Sequence, residues 1–330
     1  MLNEIKKTYY AWNKSYPEKI IKLPPSASPR KYFRVFEEGK SAIVAFNSNV
    51  EENIAFITFA RHFRSLGINV PEIYFVSDCK QFYILEDLGD NQLYTIIKEN
   101  GYNVATKDLL KKSLRFLIEL QFNGLNGLDL SVAFPRAEFD ERSIMWDLHY
   151  FKYYFLKLAE IDFHEERLEN DFEKFTSHLL EAERDYFLYR DFQTRNIMIV
   201  NGVPYFIDFQ GGRKGALHYD VASLLYDANA DIPKETRKEL LKFYLHLLTQ
   251  KDSNAANNFE RHFYHYVLVR MLQALGAFGF RGLVQRKPLF IEAIPPAIKN
   301  LQNLLDEKFD DSEFPELFSS LRKLKNYGQS

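Results

Sequence analysis

The stretch Tyr189-Arg190-Asp191-Phe192-Gln193-Thr194-Arg195-Asn196, followed by Asp208-Phe209-Gln210, constrains this chain more than any other. Between the two halves lie short apolar runs, Ile197–Val200 and Val203–Ile207, joined by Asn201-Gly202. Asn-Gly favours a two-residue hairpin turn, because both central residues must take a positive φ. The spacing therefore predicts a hairpin whose exit sets Asp208 opposite the loop carrying Asp191. An acid, an amide five residues on and a second acid at a hairpin's end make up a kinase-type catalytic loop. Asp191 would accept and orient the proton of an attacking hydroxyl. Asn196 and Asp208 would hold the Mg2+ that neutralises the phosphates of ATP. An Asp-x4-Asn pair alone means little, since such pairs commonly cap turns. The preceding arginine, the hairpin and the Asp-Phe at its exit supply the specificity.

The flanking sequence fits a small α/β lobe ahead of a larger helical one. Lys31–Phe36 and Ser41–Phe46 read as strands around a Glu-Glu-Gly-Lys turn, and Glu51–Leu66 as a helix. Glu72–Ser77 and Gln81–Glu86 read as a second strand pair. After Gly89 the apolar spacing turns helical over Asp108–Phe122 and again near 221–226, 234–250, 256–276, 288–306 and 313–326, while 123–140 is loop-like. A chain of 330 residues is also too long for one simple core. The expected class is α+β, a two-lobed protein-kinase-like fold. A nucleotide-binding lobe would span 1–88, and a catalytic and substrate-binding lobe 89–330.

The formal charge of -2 gives no reason to expect nucleic acid as a partner. The single cysteine, Cys79, excludes an intrachain disulfide and a multi-cysteine metal site. The N-terminus lacks an apolar signal core, and Arg270 interrupts the longest apolar candidate, 266–280. These features predict a soluble cytoplasmic protein without a membrane partner.

A kinase needs further groups. The loop ending in Ser28-Pro29-Arg30-Lys31 is the candidate cover for the phosphates, with Ser28, Arg30 and Lys31 as donors, although it lacks a Gly-x-Gly-x-x-Gly pattern. The strand after it offers no lysine, so the phosphate-binding cation is open among Arg30, Arg34 and Lys40. Glu51 or Glu52 would be its helix partner. Backbone groups of Glu86 and Leu88, between the lobes, could meet the adenine edge. Arg195, four residues after Asp191, could stabilise charge on the transferring phosphoryl group. Asp220, at the start of an apolar helix, reads as a brace for the catalytic loop. Only eleven residues, Phe209–Tyr219, separate Asp208 from Asp220, which is too few for a peptide-docking platform. His262 and His265 are spaced i, i+3 without an evident third ligand, so structural roles are expected of them.

Together these segments resemble the aminoglycoside phosphotransferase/choline kinase superfamily. They are most similar to its bacterial N-acetylmuramate/N-acetylglucosamine anomeric kinases. The likeness runs through Ala27–Arg34, Glu51–Asn53, Gly67–Pro71, Leu85–Gly89, Arg190–Met198, Asp208–Gln210, Tyr219–Val221 and Arg270–Gly279, with Lys287-Pro288 and Ile294-Pro295 behind. Tyr189 stands where the family usually has His, and Gly211-Gly212 where relatives often have Asp-Ala. The resemblance implies ATP-dependent phosphorylation of an amino sugar at its anomeric hydroxyl, in cell-wall sugar salvage, with Mg2+. Other hydroxyl acceptors of the superfamily (an aminoglycoside, choline, homoserine) stay open, as does a nucleotide-binding pseudokinase, which the absent lysine would suit.

Overall fold

Strands buried on both faces build the small lobe. In the computed structural model, which describes residues 1–24 and 29–327, five antiparallel strands form one sheet. They are β1 (Lys19–Lys22), β2 (Lys31–Glu37), β3 (Lys40–Phe46), β4 (Ile73–Val76) and β5 (Phe82–Glu86), in the order β1-β2-β3-β5-β4. Ala42, Val44, Phe82 and Ile84 pack with Ile5 and Tyr9 of α1 (Leu2–Asn13). Their neighbours Ile43, Ala45, Tyr83 and Leu85 belong instead to the core that contains Phe56, Phe59 and Phe63 of α2 (Val50–Ser65). Buried on both faces, β3 reads as a continuous apolar run rather than an alternating one. Asn49 caps α2 by accepting from the Glu52 N–H at 3.1 Å. The sequence reading omitted α1 and β1. Only Ile5, Thr8 and Tyr9 of α1 are buried, and β1 is an exposed edge of four residues.

The larger lobe is mainly helical: α3 (Leu93–Asn100), α4 (Val104–Asn123), α5 (Glu141–Phe151), α6 (Glu165–Leu180), α7 (His218–Leu225), α8 (Lys234–Lys251), α9 (Ser253–Phe278), α10 (Pro288–Glu292), α11 (Ile294–Lys308) and α12 (Pro315–Lys323). The expected helix over 288–306 is broken at Ala293, where Pro295 and Pro296 start α11 afresh. Two short ladders interrupt the helices. The strands β6 (Tyr186–Leu188) and β9 (Arg213–Gly215) pair, as do β7 (Ile197–Val200) and β8 (Val203–Phe206). The second pair is the predicted hairpin, with Val200 opposite Val203 and positive φ at Asn201 (50°) and Gly202 (76°).

α9 runs through the centre, packed against α5, α7, α8 and α11. With the turn that follows, Ser253–Val284 is long and apolar enough by length and composition to cross a membrane, yet more than half of its apolar window is buried inside the protein. Its hydropathy is that of a core helix.

Candidate active site

Asp191 sits on a loop pinned from behind. The Asp220 carboxylate, fully buried in the first turn of α7, accepts from the Tyr189 N–H at 2.7 Å and the Arg190 N–H at 2.9 Å. Burial pushes this acid up to about 7, against the pull of those two donors. The brace holds Arg190 at φ 84°, while Asp208 takes φ 68°, both unusual for residues with a Cβ. Arg190 is spent structurally: its Nη2 donates to Asp147 at 2.6 Å, and its guanidinium lies over the rings of Phe139 and Tyr219. The phenol of Tyr189 donates to the Ile207 carbonyl, and its ring packs edge-on to Phe192 and Phe209. Tyrosine at this position therefore ties the Asp191 loop to the segment that leads from β8 to Asp208.

The hairpin brings the three expected groups together. The Ile207 N–H donates to the Asn196 carbonyl at 3.0 Å, which sets Asn196 beside the start of the Asp208 segment. Asn196 Nδ2 donates to the Asp191 carbonyl at 2.9 Å, which leaves Asn196 Oδ1 as an acceptor for a cation. Asp208 Oδ1 accepts from Gln210 Nε2 at 2.8 Å. Burial, and then the charge of Asp191, raise Asp208 above the ordinary carboxylate range. Two acids that penalise each other beside a free amide oxygen fit a divalent cation, which would relieve the repulsion. Phe209 is locked beneath, stacked on Phe56 of α2 at 4.8 Å and edge-on to Phe63. At Gly212 a Cβ would come within 2.3 Å of Phe187 Cζ and 2.9 Å of the Phe209 carbonyl, so the glycine here is a packing requirement.

On the phosphate side the structure separates the candidates. Arg30 is buried, its Nη2 donating to Glu52 Oε1 at 2.9 Å and its Nη1 to Tyr32 Oη at 3.2 Å and lying 3.8 Å from Asp208 Oδ1. Asn47 holds the other Glu52 oxygen at 2.8 Å. Glu52, rather than Glu51, is thus the helix acid of a buried cation–carboxylate pair. Lys31 is exposed, and its ammonium lies over the Phe46 ring. Arg34 is committed elsewhere, pairing with Asp87 at 2.7 Å, Asp90 at 2.8 Å and the Gly89 carbonyl at 3.2 Å. It clamps the connection between the lobes to β2. Lys40 is exposed at the β2–β3 turn. Ser28 lies outside the described residues. In the connection, the Glu86 N–H already donates to the Glu72 carbonyl at 2.9 Å and its carboxylate faces Arg64, while Leu88 follows two residues beyond the end of β5.

Arg195 does not pair with Asp191. It occupies a 3-10 turn, Thr194–Asn196, and stacks its guanidinium on Tyr94 of α3 at 4.3 Å. A cation beside Asp191 is Arg270 of α9, whose Nη2 lies 3.9 Å from Asp191 Oδ1. Arg270 is aimed by Ser223, which accepts from its Nε at 3.0 Å, and by Gln273, which accepts from Nη1 at 2.8 Å. Sequence reasoning missed this contact. The available signal was an arginine interrupting the apolar stretch Tyr266–Leu272, which must find a polar partner where it is buried.

The family model of the phosphotransferase enzyme family matches residues 19–255. The chain belongs to that family. It is 27% identical over 237 residues to a protein of Neisseria meningitidis serogroup B named N-acetylmuramate/N-acetylglucosamine kinase, covering 69% of this chain and 68% of the relative. A protein of the same name from Pseudomonas aeruginosa is 25% identical over 319 residues, covering 94% of this chain and 90% of the relative. Among solved structures, a choline/ethanolamine kinase family protein from Mesorhizobium loti superposes with a TM-score of 0.62 at 14% identity, covering 98% of this chain and 99% of that one. This phosphotransferase is therefore a small-molecule kinase acting on a hydroxyl acceptor, with a protein-kinase-like fold.

Proposed function

We propose that this phosphotransferase uses ATP and Mg2+ to phosphorylate the anomeric hydroxyl of N-acetylmuramate or N-acetylglucosamine. The observation that carries the substrate is the similarity, over 94% of the chain, to a kinase named for these two sugars. Asp191 accepts the proton of the acceptor hydroxyl. An anomeric hydroxyl is more acidic than an ordinary alcohol, so orientation matters more than basicity. Arg270, 3.9 Å away, steadies the acid and offers positive charge where the acceptor oxygen meets the phosphoryl group. Asn196 Oδ1 and Asp208 would hold Mg2+, which would neutralise charge on the phosphates when bound. Arg30, aimed by Glu52 and 3.8 Å from Asp208, neutralises the same phosphates in place of a strand lysine. That pair supports an active kinase over a pseudokinase. The Glu86 carbonyl and the Leu88 backbone would meet the adenine edge from the connection between the lobes.

The test is product analysis. The full chain is incubated with Mg2+, ATP and each sugar, and the product is examined by phosphorus NMR. A sugar 1-phosphate is expected. Phosphate on another oxygen, or turnover only with choline, homoserine or an aminoglycoside, would overturn the sugar reading and leave the kinase assignment intact.

A further inference from the structure

A second group of ligand-type side chains lies outside the catalytic constellation, where the end of α6 meets the first half of α9. His178 and Glu181 are one helical turn apart, and His262 projects from the facing helix. One ligand atom from each lies within 4.8 Å of the others. The register between the helices is fixed locally, because Tyr266 Oη, one turn beyond His262, donates to the Leu179 carbonyl at 3.0 Å. The rings of His178 and His262 have centroids 4.9 Å apart. His178 Nε2 and His262 Nδ1 are both buried and without a hydrogen-bond partner. Buried ring nitrogens are normally paired; with His265 Nδ1 and His218 Nδ1 also orphaned on rings packed against these two, the whole histidine cluster requires an explanation.

The chemistry of the three groups agrees with their placement. Glu181 gives one oxygen to Arg261 at 2.8 Å and keeps the other. A cavity of about 260 Å3 opens alongside, lined by Glu181, His262, His218, Asn254 and Asn258, with room for water to complete a coordination sphere. Ligand atoms on a tetrahedral zinc with bonds of about 2.1 Å lie roughly 3.4 Å apart. The exposed Glu181 side chain is the one free to close that difference. His265 plays another part: its ring packs 4.0 Å from that of His178 and edge-on to Phe309, and its Nε2 faces Glu313 at 3.4 Å.

We propose that His178, Glu181 and His262 form a binding site for a first-row transition-metal dication, Zn2+ in particular, with water at the remaining position. Two imidazoles and a carboxylate suit Zn2+ and its neighbours far better than Mg2+ or Ca2+. The ion would fasten the end of α6 to α9. Glu181 leads through residues 182–185 into β6, the strand that delivers the catalytic loop, so the site would stiffen that loop's approach.

The experiment uses the full chain, stripped with a chelator and kept free of nucleotide and Mg2+. Zn2+ is titrated by calorimetry, Co2+ by visible absorption, and Tm is followed with and without Zn2+. One equivalent of Zn2+, intense Co2+ bands of a tetrahedral N/O site and a raised Tm are expected. His178→Ala and His262→Ala should each weaken Zn2+ binding by roughly a hundredfold or more, since even the outer partners of metal ligands are worth about ten- to a hundredfold. His265→Ala and Asp208→Ala should leave the affinity unchanged, which separates this site from ring packing and from the nucleotide-linked cation. Arg261→Ala should tighten binding by removing a competitor for Glu181. Absence of saturable Zn2+ binding by the folded native chain would overturn the proposal. So would full-strength binding by the His178→Ala, His262→Ala double variant.

Discussion

Arg30→Ala probes the phosphate side of the site most directly. The Arg30 side chain is completely buried, 2.9 Å from Glu52 and 3.8 Å from Asp208. Its loss removes a cation and also strands a carboxylate that is only 15% exposed. A hydrogen bond to a charged group contributes about 1.5–3 kcal/mol. If that interaction is made with the ATP phosphates in the transition state, kcat/KM for ATP falls roughly ten- to a hundredfold, at about 1.4 kcal/mol per decade. The stranded Glu52 affects the fold instead, and should lower Tm by a few degrees. Arg30→Lys recovers only part of either loss, because one ammonium cannot serve Glu52 and the Tyr32 hydroxyl as the planar fork does. Glu52→Gln weakens the same pair from the other side, so the double variant should cost less than the sum of the singles. Steady-state ADP release across an ATP series, with a thermal scan of each variant, gives both readouts. A change in kcat/KM below about twofold for Arg30→Ala would refute the phosphate role and reopen the question of which cation serves ATP.

Asp191→Asn should abolish turnover while nucleotide affinity stays near that of the parent chain, because a proton acceptor is lost and no metal ligand; retention of the parent kcat would remove Asp191 from the mechanism. Asp208→Ala should weaken Mg2+-ATP binding and leave metal-free ATP binding nearly unchanged, which titration of the two forms separates; equal Mg2+-ATP affinity in both proteins would speak against a metal role. Asp220→Asn turns an amide N–H toward one of the two backbone donors, at Tyr189 or Arg190, and should lower kcat and Tm with little change in KM for ATP. A fall in Tm with kcat intact would make Asp220 a support of the fold alone. Burial and Asp191 raise Asp208, so its cost to the metal-free fold is absent in acid and grows as pH rises through its folded pKa. Mg2+ relieves that cost, so the Tm gained on adding Mg2+ should be larger at neutral pH than in mildly acid buffer, and an equal gain would count against the assignment.

What was legible in the sequence was local. The Asn201-Gly202 turn fixed the hairpin, and the hairpin brought Asn196 to Asp208 whatever the rest of the chain did. Arg30 stood out because it ends the loop before the first strong strand, and burial excludes the alternative of a solvated surface residue. The groups that escaped the reading depend on tertiary contact. Arg195 is near Asp191 in the chain, yet the 3-10 turn directs it toward Tyr94. Arg270 is remote in the chain and reaches the acid from a helix whose position only the packed lobe defines. β6 and β9 are three residues each, too short for a period of two to register. His262 was visible as half of an i, i+3 pair, but its partners come from α6, and no spacing within α9 could reveal them.

The missing strand lysine and the position of Arg30 have one geometric explanation. On the face toward α2, β3 presents Ile43 and Ala45, both buried with Tyr83 and Leu85. A lysine there would have to thread its ammonium between the sheet and α2. Lys31 pairs in register with Phe46, so Arg30 enters the cleft from the end of the sheet, beside Asn47 and the start of α2. From that end a guanidinium reaches Glu52 without crossing the sheet–helix interface, and it comes within 3.8 Å of Asp208 as well. The long planar side chain meets two carboxylates on different lobes at once, which a lysine at the same place would do less well. On the proposed reading, the phosphate cation sits at the margin of the sheet rather than in the middle of a strand. The inner part of β3, Ala42–Ala45, is thereby free to be apolar and buried.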